Sequence, residues 1–202
     1  TFQMSSMPNV AALNIDPTNV LMSRAPLRRM EAEPLRDSIL QISGQLDLKV
    51  GGTIWTFENY KLVFNHTSED ATTYNSNRRA IYLPVIRNHV YDLFELFDFP
   101  DPGTVNGNRA DTTIAPQSLY LMNSPLVLRT CATMAKQLLA EKKLNNTERV
   151  EWLYVKVYNR KPTANESKRA VAFVNEFCQE RQASWQALCQ TLLSSNEFLY
   201  LK

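Results

Sequence analysis

The strongest constraint on the fold is a succession of apolar stripes at helical spacing from Pro116 to the C-terminus. Ser124-Pro125 supplies an N-cap followed by a first-position proline, and Val127, Cys131, Met134 and Leu138 then recur on one helical face to about Glu141. Asn145 with Glu148 and Thr163 with Glu166 have the spacing of capping boxes. They lead the stripes Val150, Leu153, Tyr154, Val157 and Ala170, Phe173, Val174, Phe177, while Trp185, Leu188, Cys189, Leu192 and Leu193 mark a last helix. Pro116 to Met122 reads as a short helix before them. No such helix buries its stripe alone, so the segment is expected to pack as an antiparallel cluster.

Composition narrows the class further. A chain of 202 residues can bury a sizeable core and suggests one domain, or a large piece of one. Five glycines against ten prolines disfavour glycine-rich phosphate loops and tightly turned barrels. With 22 basic and 20 acidic residues the net charge is +2, which argues against a nucleic-acid or polyanion binder driven by bulk charge. No apolar run is long enough for a membrane span, and no signal peptide opens the chain. The opening TFQMSSMPNV reads as the interior of a longer protein. Cys131, Cys178 and Cys189 form no CxxC or CxxCH pattern and are expected to be small buried hydrophobes. A Cys178 to Cys189 disulfide, suited to an oxidising compartment, is the alternative.

Residues 1–15 read as an irregular surface strand or arm, and Asp16-Pro17 as the start of a short helix to about Ser23. The densest charge pattern is Arg28 to Gly52, RRMEAEPLRDSILQISGQLDLKVGG. There Leu35, Ile39, Ile42 and Leu46 predict a helix from about Glu31, which Gly44 ends. Pro34 is tolerated in the first turn, and Glu31 and Glu33 favour the positive end of the helix dipole. Glu33 and Arg36 are spaced to pair. Thr53 to Phe64 reads as one strand, the polar stretch from His66 to Asn77 as a loop, and Arg78 to Asn88 as an antiparallel partner strand. Pro84 places that strand at an edge. Tyr91 to Asp111 gives a short apolar turn and then an acidic loop. Its Asp98, Asp101, Asn106, Asn108 and Asp111 do not follow the calcium-loop order, and turn or cap duty is expected of them rather than metal binding.

The expected architecture is therefore mainly α, a helical cluster with a small antiparallel β-hairpin and long loops. It forms a single domain over 1–202: an arm and first helices (1–50), a hairpin region (51–90), an acidic loop (91–115) and the helical cluster (116–202). The candidate polar cluster is Arg28, Arg29, Glu31, Glu33, Arg36, Asp37, Arg78, Arg79, Arg87, Asp98 and Asp101. Such residues would serve either as ion pairs fixing the helix start to its neighbours or as a site. A carboxylate would then act as acid or base, or the arginines would grip sulfate or carboxylate groups. His66 and His89 sit in no nucleophile or zinc motif.

Several blocks in order, RRMEAEPLRDSILQISGQLD, RRAIYLPVIRN, ELFDFPDP, TTIAPQSLYLMNSP, YNRKPT and LCQTLLSSNEFLYL, resemble the C-terminal domain of unknown function, numbered fifteen fifty-three, of large secreted planctomycete-type proteins. Pro34 and the GNRAD loop around Arg109 depart from that pattern. The resemblance runs through nearly the whole chain. It implies a secreted or periplasmic setting, and a family domain continuing upstream of TFQMSS, often behind a cytochrome-c-like module. Any haem would belong to that upstream module, with no cofactor in this chain. It also implies that an apolar surface covered by the upstream part is exposed here or covered by another chain.

Together these readings favour a non-catalytic structural or interaction module that docks to upstream domains or a partner. FENYKLVF and FLYL carry an apolar surplus suited to docking or to the core. The alternative is part of an enzyme or binding site for polysaccharide, sulfated or neutral, built on the Arg/carboxylate cluster or on Trp55, Tyr60 and Tyr74. No nucleic acid and no membrane span are expected.

Overall fold

The computed structural model describes residues 4–52, 54, 74–87 and 89–201. Helix α5 (Pro125–Ala140) and helix α8 (Arg181–Leu193) form the most extensive helix pair. Val127, Cys131, Met134 and Leu138 of α5 meet a core that includes Trp185, Cys189 and Leu193 of α8, all of them fully buried. Helices α6 (Asn146–Tyr158) and α7 (Ala164–Glu176) pack on each other and on α8. Both begin with the capping boxes expected from the sequence: Asn145 and Thr163 side chains accept from the amides of Glu148 and Glu166, whose carboxylates bond back. The buried Arg149 turns away from its own helix, and its Nη2 donates to the carbonyl of Glu141 at 2.9 Å, covering the end of α5.

On the other side of α5 lies α2 (Ala32–Ile42), which also packs on α3 (Asp92–Leu96). Its Leu35, Ile39 and Leu40 are fully buried, Pro34 sits in its first turn, and the chain turns out of it through Gly44 at φ +70°. Helix α4 (Ala115–Asn123) fills the gap between α3, α5 and α8 with Leu121. After the short α9 (Asn196–Leu199) the chain ends in β2 (Tyr200–Leu201), which pairs antiparallel with β1 (Arg28–Arg29) in the register Arg28 to Leu201 and Arg29 to Tyr200. The fold is thus mainly α with a small two-stranded antiparallel sheet.

That sheet is not the hairpin expected from the sequence. Of the first arm, Thr53 to Phe64, only Ile54 is among the described residues. The second arm is not a strand: Ala80–Tyr82 forms a 3-10 turn, and Arg78 makes a single parallel bridge to Asp47. The backbone groups that a ladder would use are taken by side chains of α2. Arg36 donates to the carbonyls of Ser76 and Arg78, and the Asp37 carboxylate accepts from the amide of Ala80. Consequently Leu83 and Ile86 are buried while Ile81 and Val85 are exposed.

The N-terminal arm also differs. Its helix, α1 (Val10–Ile15), precedes Asp16 and is capped by Asn9, whose side chain accepts from Ala11. Asp16 closes α1, and its carboxylate accepts from the amides of Val20 and Leu21, so it organises a loop where a helix to Ser23 was expected. Phe177, expected inside, is 53% exposed. Cys131 and Cys189 are buried as expected, but Cys178 is exposed and all three are free, which overturns the Cys178 to Cys189 disulfide. Burial pushes the Cys131 thiol up to about 12 and the Cys189 thiol up as well. FLYL serves the core: Phe198 and Leu199 are buried, leaving Leu201 exposed.

Candidate functional site

The polar residues flanking α2 fall into two separate groups. The first ties the start of the helix to the loop after α3. Arg29, its side chain 4% exposed, donates through Nη2 to Asp98 at 2.5 Å and through Nε to Asp111 at 3.0 Å. Its guanidinium also lies 5.2 Å from the centre of the Phe97 ring. Asp98 adopts φ +60° and accepts, besides, from the amide and hydroxyl of Thr112. A strained residue at such a node persists only because several bonds hold it. Next to it Arg109 grips Glu33 in a two-pronged pair at 2.7 and 2.9 Å and reaches Glu31 at 2.9 Å. Although partial burial opposes it, the Arg109 hydrogen bond holds the Glu33 carboxyl below its ordinary value. Gln117, buried on α4, completes this side by donating to the carbonyls of Leu96 and Thr112.

The second group ties the body of α2 to residues 76–82. Arg36 is 1% exposed and spends its guanidinium on the carbonyls of Ser76 and Arg78 and on Asp37. Burial pushes Asp37 above its ordinary value against the pull of the Ala80 amide and Arg36. Arg78 in turn donates to the carbonyls of Lys49, Gly51 and Gly52, its guanidinium stacked 3.9 Å from the Tyr82 ring centre. Arg79 is half-buried beside the same ring.

Three expected members stand apart. Arg28 is exposed on β1, Arg87 is exposed in a turn, and the Asp101 carboxylate accepts from the amide of Gly103 in a local turn. The expected pairing of Glu33 with Arg36 does not form, because Glu33 turns to Arg109 and Arg36 to the neighbouring backbone. The sequence reading missed the roles of Arg109, Asp111, Thr112 and Gln117. Arg109 and Glu33 lie 76 positions apart, and only the fold brings them together. The composition of GNRAD, an arginine and an aspartate in a turn, was the available signal.

Beside the second group a cleft of about 300 Å³ opens between residues 74–76, α3, α4 and the start of α5. Its walls include Arg36, Tyr74, His89, Tyr91, Asp92, Tyr120, Ser124 and Arg129. The Tyr74 ring stacks on His89 and leans on Tyr91. Burial and the neighbouring Tyr91 raise the Tyr120 hydroxyl above its ordinary value. Among the described residues no group of three or more His, Cys, Asp or Glu side chains is arranged to hold a metal ion. Of the aromatic residues considered for glycan binding, Tyr74 is half-buried in this cleft, while Trp55 and Tyr60 lie outside the described residues.

The arrangement defines a helical domain in which Arg29, Arg36, Arg78 and Arg109 bond to its own backbone and carboxylates. The chain belongs to the family described as PSD1, protein of unknown function (DUF1553), whose family model matches residues 1–174. Curated proteins and solved structures give no match to it.

Proposed function

We propose that this chain is a non-catalytic interaction module of a larger secreted or periplasmic protein, docking through its N-terminal arm onto the upstream part of the same protein. One observation carries the reading. Val10, Ile15, Val20 and Leu21 are 74 to 80% exposed, Met22 and Leu27 more than half exposed, and α1 has no buried residue. A continuous segment so rich in uncovered apolar side chains is a docking surface in search of its cover. The blocks quoted above, which resemble the C-terminal domain of planctomycete-type proteins with a cytochrome-c-like module, support the setting. They also support placing any haem in that upstream module.

Polysaccharide chemistry by the arginine and carboxylate cluster has less support. The guanidinium groups of Arg29, Arg36, Arg78 and Arg109 already hold carboxylates or carbonyls, and the nitrogens of Arg29, Arg36 and Arg78 left without a partner among the described residues are buried, out of reach of a sulfate. Hydrogen exchange tests the docking. Amides of residues 10–27 are expected to exchange rapidly in this chain alone and slowly in the full-length protein. Equal exchange in the two would remove the proposal.

A further inference from the structure

The loop after Asp101 carries a reactive pair that the docking reading does not use. Asn106-Gly107 is the single place in the sequence where glycine follows asparagine. Both residues are exposed, and so is Val105 before them, which puts the pair at the tip of the loop. Neither the Asn106 side chain nor the Gly107 amide has a hydrogen-bond partner among the described residues. A Cβ built at Gly107 would meet nothing within 4 Å, so the position lies in open space. With no side chain of its own to shield the nitrogen, the glycine leaves the backbone free to bring that nitrogen onto the neighbouring side chain.

Asn123 shows the contrast. It too precedes a small residue, Ser124, but it ends α4, and its Nδ2 donates to the Leu119 carbonyl at 2.9 Å. The next amide, that of Ser124, is bonded to the Tyr120 carbonyl at 2.8 Å. Side chain and nitrogen are both held by the helix, and neither can turn toward the other without unwinding its last turn. Asn145 and Asn9 are likewise engaged, their Oδ1 atoms accepting from the amides of Glu148 and Ala11 at the starts of α6 and α1.

We propose that Asn106 is a site of spontaneous deamidation, a modification that turns the tip of this loop acidic. The Gly107 nitrogen, on losing its proton to base, attacks the side-chain carbonyl carbon of Asn106. The new C–N bond closes a cyclic imide and ammonia leaves. Water then opens either imide carbonyl to give aspartate or isoaspartate. Amide and water thus become carboxylate and ammonium, with no change of oxidation state. The chain loses one unit from its net charge of +2. The new carboxylate arises three residues before Arg109, the residue that pairs with Glu31 and Glu33 and ties the loop to α2. Isoaspartate also lengthens the backbone of that tie by a methylene.

Peptide mapping by mass spectrometry tests this on the 202-residue chain kept in mildly alkaline buffer, native and in urea. In the native protein Asn106 should convert at least about tenfold faster than Asn123, and within about threefold of its own rate in urea, since the fold puts nothing in its way. Gly107→Val should slow the conversion at least about tenfold in both conditions, because a β-branched side chain crowds the attacking nitrogen. Native conversion at Asn106 no faster than at Asn123 would overturn the proposal, as would a Gly107→Val chain that converts at the parent rate. A native rate about tenfold or more below the rate in urea would mean that the fold holds the pair rigid, and would overturn it as well.

Discussion

Arg36 is a charged side chain with 1% exposure, and its worth lies in two carbonyls that no other side chain among the described residues reaches. Replacing it with leucine strands the carbonyls of Ser76 and Arg78 and should cost about 3 kcal/mol of stability in chemical denaturation. Arg36→Lys should recover little, because an ammonium has no planar fork with which to bind both carbonyls and Asp37 at once. If Arg36→Lys unfolds at the same denaturant concentration as the parent, the fork is not what matters. The thiols make a second test at this scale. Cys178 should react alone with a maleimide in the native protein, and Cys131 and Cys189 only in denaturant, since both are buried and burial raises both of their pKa values. Three thiols labelled in the native protein would contradict the packing of α5 on α8.

Between the elements, Arg160 is the clasp that joins the start of α7 to α9. It follows the left-handed residue Asn159 that ends α6, and pairs with both Glu166 and Glu197 at 2.7 Å. The Arg160 hydrogen bond, helped by the Thr163 amide, holds the Glu166 carboxyl down at about 2, from an ordinary value of 4.5. A depressed carboxylate contributes stability that is whole above its unfolded pKa and is lost as pH falls through the folded one. The thermal midpoint should therefore decline between about pH 4.5 and about pH 2, and Glu166→Gln should flatten that part of the curve. An identical pH profile in the variant would show that the clasp is not responsible.

This clasp illustrates what was legible in the sequence. Thr163 and Glu166 form a capping box within four consecutive residues, and local spacing is enough to find it. The helical stripes were legible for the same reason. The 78–88 segment was misread because its alternation of apolar residues suits a strand, whereas Arg36 and Asp37, some forty positions earlier, take the backbone groups a strand needs. Most of the residues in the two groups were legible by their charge alone. Which arginine meets which carboxylate depends on the loop from Asp98 to Thr112 folding back on α2, and no local pattern records that.

For the whole molecule, the last strand closes on the first: β2 pairs with β1, and Arg29 of β1 reaches on to Asp98 and Asp111. The arm before β1 adds little to this. Substitutions such as Ile15→Ser and Leu21→Ser should change stability by less than about 0.5 kcal/mol while weakening docking to the upstream part. A large loss of stability would mean that the arm belongs to the core. The central claim is that Arg29, Arg36, Arg78 and Arg109 are structural. A double-mutant cycle on Arg29→Met and Asp98→Asn, read by chemical denaturation, tests it most directly. Each single substitution is expected to cost about 3 kcal/mol and the pair to be coupled by about 1 to 3 kcal/mol, because removing one partner leaves the other buried with only its weaker contacts, Asp111 for Arg29 and Thr112 for Asp98. Single costs within about 0.5 kcal/mol and no coupling, the behaviour of exposed charges kept for a ligand, would contradict it.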